Sequence, residues 1–175
     1  QKLQKLLKAG VEKTTAEVIA TDLPLSELFE RLSEKMKPAA VANWIRKDLL
    51  RVMNDKDFAE LNISEKHIEE LLLLLESEKI TEQVGRSILM ELTKKQFSPN
   101  EYVKKQNLTA IAGTSELEQL CKNAIKNNPK PVQDYKAGNQ EALNYLVGTI
   151  MRLTKGRASP EQVKKILIEK IALLH

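Results

Sequence analysis

The sequence predicts an all-α protein, and three of its features support that fold class. Apolar residues recur at every third or fourth position along nearly the whole chain, which is helical spacing. Helix-starting residues such as Ser, Thr, Asn and Pro separate the successive segments. Alternation of apolar and polar residues, which a half-buried β-strand requires, extends over no more than a few residues. We therefore expect helices joined by short loops.

The first two thirds of the chain carry start signals for a series of helices. Residues 14–17 form a capping-box pattern, and Pro24 and Pro38 suit the first turn of a helix. Trp44 shares a helical stripe with apolar neighbours, so we expect it in a core rather than stacked on a ligand. Residues 71–75 are five Leu and should be central to that core. Further helices are expected to begin after Ser64, Thr81 and Ser98.

The last third shows the same signals. Gly138 is expected to end a short helix in the left-handed conformation that glycine adopts without a steric penalty. Gly148 lies inside a predicted helix, where either a close helix–helix approach or neutral drift would explain it. The other predicted boundaries are a capping box at 115–118, an N-cap at Asn128 before Pro129, an N-cap at Asn139, and a capping box at Ser159 before Pro160.

The connector around Gly113 is the best candidate for a domain boundary. We predict a helical domain over residues 1–112 and a small helical tail domain over 113–175, which can bury only a modest core by itself. The chain begins at Gln1 without an initiator Met, so we expect it to be part of a longer protein. The single Cys and the absence of a long apolar run favour a cytoplasmic location and no membrane partner.

Positive charge is concentrated in the last third of the chain. Residues 122–175 hold 10 Lys and Arg against 4 Asp and Glu, a net charge of +6, whereas the whole chain carries +4. Such asymmetry favours a polyanionic partner, and the alternative is a solvated basic face without any partner. The candidate contacts are Lys130, Lys136, Arg152, Lys155, Arg157, Lys164 and Lys165.

The loop around Gly156 is the most specific part of this basic set. Lys155 and Arg157 flank Gly156, and the loop is expected to enter the N-terminus of the last helix, where N–H groups and the helix dipole suit a phosphate. Arg152 and Lys155, three residues apart, are expected to project the same way from one helix. Because no aromatic platform accompanies these cations, we expect recognition of folded, double-helical RNA by shape.

Catalytic chemistry is difficult to build from this sequence. His67 and His175 are not spaced for a metal site, and no Gly-rich phosphate loop of the Walker or Rossmann kind is present. Cys121 occupies an apolar helical position and is predicted to be a core residue rather than a nucleophile. For Tyr135, a core position and a ligand contact both stay open. We predict no catalytic residue, no metal site and no cofactor in this chain.

Residues 128–160 resemble the signature of a known family. Asn128-Pro129, the segment 134–138, the helix 142–151 and the loop 154–160 are similar to the C-terminal, YqeY-like tail of the B subunit of aspartyl/glutamyl-tRNA(Asn/Gln) amidotransferase. The segments 42–45, 80–81 and 97–99 resemble the helical domain that precedes the tail in that family. The resemblance covers about residues 14–175, and the tail motif is its specific part.

This resemblance implies a function in protein biosynthesis. The parent enzyme would be a heterotrimer of A, B and C subunits that amidates misacylated Asp-tRNA(Asn) or Glu-tRNA(Gln) with glutamine as ammonia donor, and ATP and Mg²⁺ would bind outside this chain. The tail would hold the outer corner of the tRNA and select it by shape. The residues that match the tRNA-binding loops are Lys136, Gly138, Lys155, Gly156 and Arg157. Asn139 departs from the family, which usually has Lys there.

Other classes of function stay open beside this one. The first is a scaffold whose helical domain docks partner subunits while the basic tail is incidental. A free-standing YqeY-like protein is a further alternative, against which the upstream match argues. A self-contained enzyme is the third class, and the sequence offers no site for it. Salt-dependent tRNA binding distinguishes the first class from the amidotransferase hypothesis, and turnover by the isolated chain would reveal the third.

Overall fold

The structure, a computed structural model, describes residues 1–111 and 113–174. Those residues form helices and connecting loops, without a strand in the described ranges, which confirms the all-α fold class. Packing divides the chain into two compact units. Unit 1 comprises Gln1–Glu76 and Arg86–Tyr102, and unit 2 comprises Ser77–Gly85 and the chain from Val103 onward. The division into independently folding domains at 112 and 113 stays a prediction, because these units are defined by packing alone.

Unit 1 is built around α3. The elements, in chain order, are α1 Lys2–Lys8, α2 Lys13–Thr21, α3 Leu23–Ser33, α4 Pro38–Trp44, a π-helical segment Ile45–Leu49, α5 Leu50–Met53, a 3-10 turn Phe58–Leu61 and α6 Glu65–Glu76. Helix α3 packs against α2, α4 and the 3-10 turn, and its Leu25, Leu28 and Leu32 are almost fully buried. Trp44 is 7% exposed, which confirms the predicted core position.

Two expectations for unit 1 need correction. Helix α2 begins at Lys13, because the carboxylate of Glu12 accepts the N–H of Thr14 and caps the helix two residues before the predicted cap. A Glu side chain is long enough to reach that backbone donor from position 12. The helix therefore begins before Thr14, which lies inside it. Leu71, Leu72 and Leu74 are buried, which confirms the Leu run of α6 as part of the core, but Leu73 is 41% exposed, so the run is not buried on all sides.

Two of the three unit boundaries fall inside helices, α7 Glu82–Leu92 and α8 Pro99–Gln106, and the third lies at the end of α6. The hydroxyl of Thr81 accepts the N–H of Val84 at 3.2 Å, which confirms Thr81 as the cap of α7. Helix α8 begins at Pro99, directly after Ser98, as predicted.

Unit 2 contains the four helices that follow residue 113. They are α9 Thr114–Asn127, α10 Pro129–Lys136, α11 Gln140–Leu153 and α12 Pro160–Ala172. Helix α12 packs against α9 and α11, and α10 packs against α11. The fully buried side chains at their centre are Leu117, Cys121, Leu146, Ile150, Val163 and Leu167. None of the described helices in either unit has the length and apolar character that crossing a membrane requires.

Some of the helix caps predicted for unit 2 are confirmed and others are wrong. Asn139 accepts the N–H of Glu141 at 3.0 Å, and Gly138 has a φ of +105°, so both assignments are confirmed. Helix α9 begins at Thr114 without a side-chain cap, so the capping box at 115–118 is wrong. Asn128 is also not a side-chain cap of α10, because its Nδ2 donates to the Ala124 carbonyl at 2.7 Å and closes α9 instead.

Gly148 has no close neighbour among the described residues. A Cβ built on this glycine would meet no heavy atom within 4 Å. The close helix–helix approach offered for it is therefore absent from the described structure.

Candidate nucleic-acid interface

The predicted contact residues do not form one patch: most lie at the two ends of the α11–α12 pair, and Lys164 and Lys165 lie in the second turn of α12. At one end, Lys136 Nζ donates to the Leu174 carbonyl at 3.3 Å, just beyond the C-terminus of α12. At the other end, the loop 154–158 leads into the N-terminus of α12. Because α12 has 13 residues, about 20 Å of helix separates the two ends. Gly138 lies at the same end as Lys136, whereas Arg152 lies at the end that carries the loop.

The loop reverses the backbone immediately after α11. Helix α11 ends at Leu153, Lys155 has a φ of +53° and Gly156 has a φ of +76°, both in the left-handed region. The N–H of Gly156 donates to the Met151 carbonyl at 2.9 Å and so closes the helix end. Lys155 is therefore beyond the helix, and its expected i, i+3 alignment with Arg152 on one helical row is wrong.

Three hydrogen bonds tether this loop to earlier segments of unit 2. Arg157 Nε donates to the Thr109 carbonyl at 2.7 Å, and the N–H of Ile111 donates to the Arg157 carbonyl at 3.1 Å. The Thr81 hydroxyl donates to the Gly156 carbonyl. Gly156 is buried and Arg157 is half-buried. Both residues consequently have structural roles, whatever else they contact.

The exposed cations near the loop are the groups that a polyanion can reach. The side chains of Arg152, Lys155, Lys164 and Lys165 are all exposed. Two acidic residues are close in sequence to the loop or its contacts: Glu161 in the first turn of α12, and Glu82 in the first turn of α7 beside Thr81. Exposed ammonium and guanidinium groups attract phosphates over roughly 10 Å at moderate ionic strength, and the attraction weakens as salt is added.

Lys136 and Gly138 have explanations within the fold. A cation beside the last carbonyls of α12 interacts favourably with the helix dipole, and Lys136 occupies that position. Gly138 adopts a left-handed φ, and a Cβ there would meet nothing within 4 Å. The backbone conformation, rather than crowding, therefore explains this glycine. Their assignment as tRNA contacts stays a prediction.

The remaining candidates for chemistry are consistent with structural roles. His67 Nδ1 lies 2.9 Å from Gln96 Oε1, and His175 lies outside the described residues. Within the described ranges, no group of three or more His, Cys, Asp or Glu could hold a metal ion. Tyr135 packs against the apolar core of unit 2, so it has the core contact, while a ligand contact is untested.

Cys121 is a buried core thiol, as the sequence predicts. Its side chain is 0% exposed, and this burial raises the pKa of the thiol to about 11. Nearby charges have smaller effects on that pKa, Lys170 lowering it and Glu118 raising it. The thiolate that nucleophilic chemistry requires is therefore scarce near neutral pH.

Sequence patterns gave no signal for the residues that hold the basic loop. The sequence predicts that Thr81 begins α7, but it does not predict a contact between Thr81 or Thr109 and the loop. Their partners are 75 and 48 residues away in sequence. Contacts at such separations leave no periodic trace in a single sequence.

The helical fold and the exposed cations of unit 2 define the class as an all-α domain with a basic helical surface. Residues 27–171 match the family model described as the GatB domain, and the chain belongs to that family.

Relatives of this chain in Methanococcus and Methanothermobacter species share one name. The B subunit of the aspartyl/glutamyl-tRNA(Asn/Gln) amidotransferase of Methanococcus maripaludis is 39% identical over 171 residues, which cover 93% of this chain and 36% of that protein. The corresponding protein of Methanothermobacter thermautotrophicus is 34% identical over 164 residues, with the same coverage of each chain. This chain thus spans about a third of the length of the curated relatives it matches, and family membership agrees with the resemblance seen in the sequence.

Proposed function

We propose that this chain is the tRNA-binding part of the B subunit of an aspartyl/glutamyl-tRNA(Asn/Gln) amidotransferase. It positions misacylated tRNA(Gln) or tRNA(Asn) for transamidation by the rest of the complex. The observation that carries the proposal is the group of exposed cations on α11, α12 and the loop between them, in a member of this family. The names of its relatives, which specify part of a tRNA amidotransferase, support the same assignment.

The contacts in this proposal are made to phosphates. Arg152, Lys155, Lys164 and Lys165 carry the electrostatic attraction, and Arg157 can add donors because a guanidinium has five N–H groups and Thr109 occupies one of them. Lys136 and Gly138 would extend the surface by about 20 Å along the helix pair. An interface of this length fits the backbone of a folded RNA.

The chemistry of the parent enzyme belongs to parts outside this chain. Glutamine hydrolysis would take place in the A subunit, whereas ATP and Mg²⁺ would act in the remainder of the B subunit. The C subunit would complete the complex. The proposed location of this assembly is the cytoplasm, where protein biosynthesis uses aminoacyl-tRNA.

The test is fluorescence anisotropy of labelled tRNA(Gln) and tRNA(Asn) titrated with this chain at low and near-physiological salt. A linear RNA of equal length is the control. We expect tighter binding to the folded tRNAs, with an affinity that falls steeply as salt rises. Equal affinity for the linear RNA would reduce the basic surface to a general polyanion patch and would contradict selection by shape.

A module that docks other subunits is the second candidate function, and one feature of unit 1 favours it. A pocket of about 670 Å³ in that unit is lined by Val52, Leu61 and the 50% exposed Met90, together with charged residues such as Asp48 and Arg51. Exposed apolar surface of this kind is common where proteins associate. If the chain binds no tRNA at low salt but binds the A and C subunits, this second function replaces the first.

A further inference from the structure

We infer that Thr81 is a positioning residue for the basic loop 154–158, which it holds in the conformation that binds RNA phosphate. The inference rests on the proposed function and adds a residue outside the basic surface to it. Thr81 lies 75 residues from its partner and carries no charge. It would act through the loop rather than by touching RNA.

The hydroxyl of Thr81 makes two hydrogen bonds at once. It accepts the N–H of Val84 at 3.2 Å and donates its proton to the Gly156 carbonyl. A hydroxyl has one donor and two acceptor sites, so the two bonds do not compete. The start of α7 and the basic loop are thereby joined through a single atom.

Neighbouring backbone groups extend this junction. The N–H of Ala110 donates to the Lys79 carbonyl at 2.8 Å, and the N–H of Ile111 donates to the Arg157 carbonyl at 3.1 Å. Arg157 Nε returns a bond to the Thr109 carbonyl. Residues 79–81, 109–111 and 156–157 therefore form one hydrogen-bonded group that encloses the base of the loop.

Lys155 shows why the loop needs such support. Its φ of +53° is left-handed, a conformation in which the Cβ of a non-glycine residue crowds the following carbonyl oxygen. The contacts on either side of it offset that strain. Without the Thr81 bond, the loop has more conformations available, and a phosphate would have to order the loop as it binds, which lowers affinity.

The test compares Thr81→Val, which removes both hydroxyl bonds, with Thr81→Ser, which keeps them. Both variants are made in the full 175-residue chain. We expect Thr81→Val to bind tRNA about fivefold more weakly, the change that loss of the bond to the Gly156 carbonyl alone produces, and Thr81→Ser to bind like the unaltered chain. Amide hydrogen exchange at Gly156, Arg157 and Ile111 should become faster in Thr81→Val only.

Ser98→Ala is the matched control for the loss of a helix cap. In unit 1, the Ser98 hydroxyl likewise accepts a backbone N–H, from Glu101 at 3.4 Å, and donates to a second group, Glu70 Oε1 at 2.9 Å. It has no bond to the basic loop, so its loss should leave tRNA affinity unchanged. Equal weakening by Thr81→Val and Ser98→Ala would show general destabilisation and would overturn the inference.

The outcomes separate the inference from the proposed function. If the unaltered chain does not bind tRNA, the proposed function fails and Thr81 has no RNA-binding loop to position, whatever the exchange data show. If the chain binds tRNA and Thr81→Val changes neither affinity nor exchange, the inference fails alone. Should Thr81→Val not fold, Thr81→Asp retains an acceptor for the Val84 N–H without a donor for Gly156, and faster exchange confined to the loop is then the required result.

Discussion

Replacing Gly156 by Ala is expected to destabilise the chain by about 2 kcal/mol, in two parts. The first is the left-handed backbone, because a φ of +76° costs a residue with a Cβ about 1 kcal/mol. The second is steric, since the new Cβ would lie 2.9 Å from Gln83 Cδ. The Gln83 side chain is flexible and can turn away, but it then gives up an interaction of its own, which costs about 1 kcal/mol.

The chain supplies a matched control for the backbone part. Gly138 also has a left-handed φ, +105°, but a Cβ there would meet nothing within 4 Å. Gly138→Ala should therefore lose only the backbone part, about 1 kcal/mol. In a chain that already carries Gln83→Ala, the Gly156→Ala substitution should lose only the backbone part of the stability. The reference for this comparison is the chain with Gln83→Ala alone.

Urea denaturation followed by far-ultraviolet circular dichroism measures these differences, provided that the m-values agree among the variants. The expected order of stability is the unaltered chain, then Gly138→Ala, then Gly156→Ala. Equal losses in the two glycine variants, or no recovery in the background of Gln83→Ala, would refute the packing of Gln83 over Gly156.

Three further outcomes follow from the same contacts. Arg157→Glu should destabilise the chain by about 1–3 kcal/mol in denaturation, because it removes the donor to the Thr109 carbonyl and places a carboxylate beside it. Lys155→Gly should weaken tRNA binding in anisotropy while changing stability by less than about 0.5 kcal/mol, because relief of the left-handed strain offsets the greater freedom of the unfolded chain. Cys121 should not react with Ellman's reagent at pH 8 until the chain unfolds, since a buried thiol with a pKa of about 11 is only about one-thousandth thiolate there.

Local signals in the sequence were sufficient for the fold class and for many helix ends. Asn139, Gly138 and Thr81 act at the boundaries predicted for them because a cap involves only residues within one turn. The failures have different causes, and at residues 115–118 no side chain caps α9 at all. Glu12 caps α2 from a position before Thr14, and Asn128 closes the preceding helix instead of capping the next.

The candidate site was harder to predict, for a different physical reason. The cluster of exposed cations follows from composition alone. The conformation that presents Lys155 depends on Thr81 and Thr109, whose bonds to the loop span 75 and 48 residues. Gly156 illustrates the difference: the family resemblance suggested that it lies in a tRNA-binding loop, whereas its contact with the Gln83 side chain is visible only in the structure.

The central claim is that tRNA binds to the cations of unit 2 and not to positive charge in general. The most direct measurement compares two triple variants that each remove three positive charges. One replaces the exposed Lys155, Lys164 and Lys165 by Gln, and the other replaces Lys8, Lys47 and Lys66 of unit 1, which are equally exposed.

We expect the unit 2 variant to bind tRNA at least about tenfold more weakly at low salt. The slope of log affinity against log salt concentration should become shallower by about one for each lost phosphate contact. The unit 1 variant should bind almost like the unaltered chain. An equal loss in both variants would mean that net charge alone governs binding, and it would contradict the assignment of the interface to α11, α12 and the loop between them.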